Sequence, residues 1–221
     1  MPQIAYEVWT DCVQAFLASL ERIDGCPHLI VVPLSLVDVW VREIQNRTSP
    51  VPNFCIYLRS SHTIEQLMTY DIVIVTYERV SYEDAEFEKT EEMFQARRAC
   101  ATYHQQPTRC NNTLSAMQWN VVVTDEAHAI VNDKTRKFKG LHRLDSKYRL
   151  PLTGTPFSNE YDDLRTFMEY LNISPWGDKA LFEEVQCYQD RDKFTRVKAD
   201  CSSTFCLRHP MRAPTSFCRR T

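Results

Sequence analysis

Three apolar runs without a polar interruption constrain this chain most: His28–Val32 (HLIVV), Ile72–Val75 within Asp71–Val75 (DIVIV), and Val121–Thr124 (VVVT). A strand with one face in water alternates apolar and polar residues. A strand apolar at every position has both faces covered, which is the habit of parallel sheets under helices. Each run is too short for a buried helix and is rich in β-branched residues, and Pro33 closes the first of them. Asn53–Leu58 and Tyr148–Leu152 read as two further strands. Helical spacing separates them. Ser35 is placed to cap a helix whose apolar face is Leu36, Val39, Trp40 and Ile44. Thr63–Met68 fits a short helix, and Tyr161–Leu171 carries a stripe of Leu164, Phe167, Met168 and Leu171. Strands alternating with helices imply right-handed crossovers and an α/β fold with a mostly parallel central sheet flanked by helices.

The 221 residues suit one such domain, expected over 1–186. Ser81–Gln118 fits the alternation poorly. It begins acidic and helical, passes through Gln105, Gln106, Pro107, Asn111 and Asn112, and reads as an insertion. Residues 187–221 carry few apolar residues at any clear period and read as a basic, partly ordered tail.

The net charge of −3 provides no overall basic field, so any nucleic-acid contact must be local. Two basic segments qualify, Lys134–Arg149 and Arg191–Thr221. An acidic run, Glu83–Glu92, stands apart from both. The ordinary reading of each is a solvated surface. No apolar run approaches the ~20 residues that span a bilayer, so no membrane partner is expected. Met1–Leu20 has no basic flank and carries Glu7 and Asp11, unlike a signal peptide. Nine scattered cysteines read as reduced thiols. Cys201, Cys206, His209 and Cys218 lack the C-x-x-C knuckle of a zinc site.

In such a sheet, ligands bind at the carboxyl ends of the strands. The Val121–Thr124 strand delivers Asp125-Glu126-Ala127-His128 to that edge. A first carboxylate there can hold Mg²⁺ through water, and a second can orient or deprotonate an attacking water. The competing reading is an acidic pair at a helix start. The next strand ends in Leu152-Thr153-Gly154-Thr155-Pro156, where two hydroxyls around a glycine can sense a phosphate. Asp125 and Thr153 are then expected on adjacent or nearly adjacent strands at one edge.

These motifs and their order resemble the Swi/Snf-type branch of superfamily-two helicases from about Cys12 to Asp178. Phe16–Leu20 is similar to the helix after the phosphate loop. His28–Leu36 with Trp40 and Glu43 is similar to motif Ia, Ile74–Glu78 to motif Ib, Trp119–Ile130 to motif II (the DEAH box), and Tyr148–Asn159 to motif III. Phe217–Thr221 loosely resembles an arginine pair at the lobe end. The resemblance implies the first RecA-like lobe of a nuclear, chromatin-remodelling or DNA-repair ATPase. It implies that Asp125 binds Mg²⁺–ATP and that Glu126 activates water. It implies that His128, Thr153, Gly154 and Thr155 couple the ATP site to DNA. Pro33, Leu34, Ser35, Thr76 and Tyr77 would approach a DNA backbone without reading sequence. Trp40 reads as core.

One part of the pattern is missing. A phosphate loop needs G-x-x-x-x-G-K-[ST], so that successive N–H groups can curl round phosphates. None of Gly25, Gly140, Gly154 and Gly177 is followed by Lys. Where the resemblance puts the loop, just before Val13-Gln14, the chain reads Thr10-Asp11-Cys12. The architecture is that of a P-loop NTPase without the P-loop sequence, and a second RecA-like lobe is absent too. Three readings follow. The chain is a fragment or degenerate copy of an ATPase lobe, inactive alone; or a non-catalytic DNA- or protein-binding module; or, least favoured, an unrelated α/β hydrolase using Asp125, Glu126 and His128.

Overall fold

The computed structural model describes residues 26–59, 62–99, 114–154, 161–173 and 180, with residues 91, 93–99 and 161–162 as backbone alone. Five strands form one sheet: β1 His28–Val32, β2 Phe54–Ile56, β3 Ile72–Thr76, β4 Gln118–Thr124 and β5 Asp145–Pro151, in the order β2-β3-β1-β4-β5. Every neighbouring pair is parallel. The helices are α1 Val37–Arg47, α2 Ile64–Leu67, α3 Tyr77–Ala99, α4 Arg136–Arg143 and α5 Tyr161–Tyr170.

The unbroken apolar runs lie in the middle of this sheet because both faces are covered. Leu29, Val31, Val73, Val75 and Val122 point to one side, where Tyr77 and Val80 of α3, Phe138 and Leu141 of α4, and Phe167 and Tyr170 of α5 close over them. Ile30, Val32, Ile72, Ile74, Val121 and Val123 point to the other side, against Val37, Trp40 and Ile44 of α1. The period-two alternation of a strand thus divides one apolar run between two cores.

Several expectations need correction. Ser35 does not cap α1. It sits within a 3-10 turn, Leu34–Leu36, and Leu36 occupies the cap position with no side-chain hydrogen bond. The buried stripe of α1 is Val37, Trp40 and Ile44; Leu36 packs against the same core only partly buried, and Val39 is half-buried. Thr63 does cap α2, in a reciprocal box with Gln66. The acidic stretch from Ser81 begins within α3, which runs on from β3 without a break. Its centre, 100–113, lies outside the described residues. So do residues 1–9, Phe16–Leu20, all of 187–221 with its cysteines, and Thr155.

The acidic run is buried at its start, at Glu83 and Asp84, and open to solvent at Lys89 and Glu92. Asp84 is buried against Arg143 of α4, Glu88 meets Arg136 at 3.2 Å, and Glu78 meets Lys137 at 3.3 Å. Arg149 donates to the carbonyls of His142 (2.9 Å), Leu144 (2.8 Å) and Tyr170 (2.5 Å). Arg143 and Arg149 therefore reach partners within the fold, while Arg136 and Lys137 pair with α3 at its surface. Of the seven basic residues of Lys134–Arg149, three on α4, Arg136, Lys137 and Arg143, pair with α3. The two helices touch closely. A Cβ on Gly140 would lie 2.9 Å from Val80 Cγ1, 3.1 Å from the Val80 carbonyl and 3.2 Å from Asp84 Cβ, so only glycine fits there.

Candidate functional site

The carboxyl edge of β1, β4 and β5 gathers the candidate residues. Thr124 of β4 pairs with Val31 of β1 and with Pro151 of β5. The chain leaving β4 is stitched to both neighbours: Asp125 N–H donates to the Val31 carbonyl at 2.8 Å, and Ala127 N–H donates to the Leu152 carbonyl at 2.8 Å. Leu152 N–H donates to the Thr124 carbonyl, also at 2.8 Å. Asp125 and Thr153 thus stand at the same edge on adjacent strands, as their motifs imply.

Asp125 is buried, 7% exposed. Its Oδ2 accepts the indole N–H of Trp40 at 2.8 Å, and its Oδ1 accepts the Glu126 N–H at 2.9 Å. Its backbone carbonyl accepts the Tyr77 hydroxyl at 2.7 Å. Burial, then the nearby Tyr170, Asp125 and Glu126, hold the Tyr77 phenol well above the ordinary tyrosine value, so it stays a neutral donor. Glu126 takes left-handed backbone, φ 51° and ψ 48°, an uncommon conformation for a residue with a Cβ. That turn leaves its carboxylate part-exposed and 3.2 Å from Nδ1 of His128, which is itself exposed. Two carboxylates of different character result: one buried and oriented by several donors, one half-open beside an imidazole.

Sequence reasoning missed two members of this site. Trp40 is core, as expected, yet its N–H is directed at the carboxylate. Tyr77, expected near DNA, is 1% exposed and points into the protein. Thr76 is buried too, and its hydroxyl accepts the Arg79 N–H at 3.3 Å at the start of α3. Both side chains are turned into the protein. Pro33, half-buried, and Leu34 and Ser35, both exposed, lie beyond β1 at the surface. Thr153 is half-buried and Gly154 exposed. The helical spacing around Trp40 carries no sign of a partner 85 residues away. An N–H on an otherwise core tryptophan was the one available signal, since buried indoles find acceptors.

The SNF2-related domain family model matches residues 6–212. The chain is 30% identical over 161 residues to an uncharacterized ATP-dependent helicase of Schizosaccharomyces pombe, covering 71% of this chain and 15% of that protein. It is 28% identical over 176 residues to the ISWI chromatin-remodeling complex ATPase ISW2 of Saccharomyces cerevisiae, covering 76% of this chain and 13% of that protein. Among solved structures, the Sulfolobus solfataricus SWI2/SNF2 ATPase core in complex with dsDNA superposes with a TM-score of 0.53 at 29% identity, over 78% of this chain and 30% of that one. The chain thus spans about one seventh of the length of these curated relatives.

Proposed function

Since the chain belongs to the SNF2-related domain family, we propose that it is a fragment or degenerate copy of the N-terminal ATP-binding lobe of a nuclear DNA-dependent ATPase and translocase acting on chromatin or DNA-repair substrates. The observation that carries this reading is the pair at the end of β4: a buried Asp125 carboxylate with a donor on each oxygen, followed by Glu126 turned outward beside His128. Asp125 offers hard oxygen to a hydrated Mg²⁺, which suits that ion's preference for retained waters. Bound there with ATP, Mg²⁺ would supply charge neutralisation at the phosphates. Glu126 orients or deprotonates the attacking water, with His128 holding its carboxylate. Thr153, Gly154 and Thr155 lie in the segment suited to pass the state of that site to the DNA side. Pro33, Leu34 and Ser35 are the remaining candidates for contact with a DNA backbone; such contact is weak, indifferent to sequence and steeply salt-dependent. A titration at two salt concentrations tests it, and a salt-insensitive affinity contradicts it.

Alone, the chain is expected to hydrolyse no ATP above background, with or without DNA. It has no G-x-x-x-x-G-K-[ST] segment to cradle phosphates, and the second lobe that supplies an arginine finger in this family is not within it. DNA-stimulated turnover that vanishes in Glu126→Gln sinks this expectation. The sharper test replaces residues 1–12 with a strand and a Gly-x-Gly-Lys-Thr loop in register with Val13. ATP binding measured by calorimetry then appears, Asp125→Asn weakens its Mg²⁺-dependent part, and Glu126→Gln leaves it intact. If the repaired chain folds and binds no nucleotide, the second reading takes over. That reading, favoured by the missing loop, is a non-catalytic DNA- or protein-binding module that keeps the lobe's shape.

A further inference from the structure

We propose that Trp40 is a positioning residue for Asp125: its indole N–H sets the orientation in which the carboxylate meets the water shell of a divalent cation. This rests on the reading of Asp125 as the metal-binding carboxylate.

The ordinary account runs the other way, with Asp125 merely satisfying a buried indole. The protein contains its own control. Trp119, also fully buried, gives its N–H to a backbone carbonyl, that of Leu114, at 3.0 Å. A carbonyl therefore suffices for a core tryptophan in this fold. Trp40 instead reaches the carboxylate that begins the motif, from a different helix and at the shorter distance of 2.8 Å.

The geometry has three parts. The indole holds Oδ2, and the Glu126 N–H holds Oδ1 at 2.9 Å. A donor on each oxygen fixes rotation about the Cβ–Cγ bond. The Tyr77 hydroxyl holds the backbone carbonyl at 2.7 Å, where the chain enters the left-handed turn at Glu126. Trp40 itself cannot tilt, because it is 1% exposed and locked into the core beneath β1 and β4. Indole is also a donor only. It cannot flip to an acceptor as an amide or hydroxyl could, so the carboxylate has one way to sit. Partners that orient a metal-binding group in this manner are typically worth 10–100-fold in metal affinity.

The test uses the chain as it stands, with Mn²⁺ as the probe and electron paramagnetic resonance to count bound ion. The site is defined as the part of the binding that Asp125→Asn removes. Position 40 is changed in two ways: Trp40→Phe, and replacement by benzothienylalanine, which keeps the bicyclic shape and puts sulfur in place of the N–H. Circular dichroism checks the fold; if the phenylalanine variant does not fold, the benzothienyl chain decides. The expected result is a fall of about ten-fold or more in Mn²⁺ affinity for each folded variant, with no further loss when Trp40→Phe is added to Asp125→Asn. Unchanged affinity in the benzothienyl chain, with binding abolished by Asp125→Asn, overturns the positioning role and leaves Asp125 as the ligand. If the unaltered chain holds no Mn²⁺ that Asp125→Asn removes, the metal reading itself fails and the positioning role fails with it.

Discussion

Asp84 and Asp125 are both buried carboxylates, and they are held in opposite ways. Asp84 lies in the α3–α4 seam against the guanidinium of Arg143. The nearby Glu83 is likewise matched by Arg79, and it also accepts the Tyr57 hydroxyl at 2.8 Å and the Leu114 N–H at 3.2 Å. Asp125 is gripped by an indole, a backbone amide and, through its carbonyl, a phenol. An arginine partner cancels the charge of a carboxylate as it orients it. A neutral donor orients it by hydrogen bonding. The first arrangement joins two helices; the second places donors on a carboxylate at the edge where ligands bind.

If that contrast is right, substitutions at the two aspartates separate cleanly. The largest effect is expected for Asp84→Ala, which removes the near partner of Arg143 and leaves it, among the described carboxylates, only Glu88 at 3.7 Å. Denaturant unfolding should show a loss of about 3 kcal/mol. The same aspartate has a pH signature. Burial raises its carboxyl above the ordinary value in spite of Arg143. A group raised in this way binds its proton more tightly when folded, so its contribution to stability falls as pH rises from the ordinary value of 3.8 through the raised one. The advantage of the unaltered chain over Asp84→Asn should therefore be larger at the acid end of that interval and shrink above it. An advantage that grows with pH would mean that Arg143 outweighs burial.

Gly140→Ala comes next. The added methyl must push against Val80 and Asp84, and a loss of about 2 kcal/mol is expected from the overpacked seam. Full stability in that variant would show that α3 and α4 can separate without cost. Asp125→Asn should cost only about 1 kcal/mol, because the amide oxygen still accepts one N–H while the other donor loses its acceptor. Its damage belongs to metal binding, so a large loss of stability would erase the distinction drawn here. Smallest of all is Lys137→Ala, which breaks a part-exposed pair with Glu78 and should cost about 0.5 kcal/mol or less, fading in high salt.

Much of this could be read before the fold was seen. The apolar runs announced β1, β3 and β4, and the motifs after β4 and β5 announced a shared edge. What was hidden depended on distance along the chain. The acidic run and the basic segment were each visible, but nothing local says that Asp84 meets Arg143, 59 residues on. The same blindness made Tyr77 look like a surface residue: its position at a strand tip was right, and the direction of its ring was not. Gly140 gave a faint signal, since a lone glycine inside a helical pattern often marks a close approach.

The described non-glycine residues with left-handed backbone are Glu126, at φ 51°, and Asn172, at φ 56°. Asn172 has an architectural reason. It follows α5, its N–H reaches the Glu169 carbonyl at 3.0 Å, and the Ile173 N–H reaches the Met168 carbonyl at 2.9 Å. That is the usual way for a helix to stop, with a residue type that tolerates the conformation. Glu126 ends no helix, and glutamate is poorly suited to the position. Glycine would occupy it at lower conformational energy, by roughly 1 kcal/mol. The difference amounts to a thermodynamic fingerprint: one residue obeys the backbone, and the other makes the backbone obey it. A chain drifting under selection for folding alone would be free to relax at 126 and would gain by doing so. Glutamate at that position is a cost that the β4–β5 stitching sustains, and it sits beside the carboxylate on which the proposed chemistry depends.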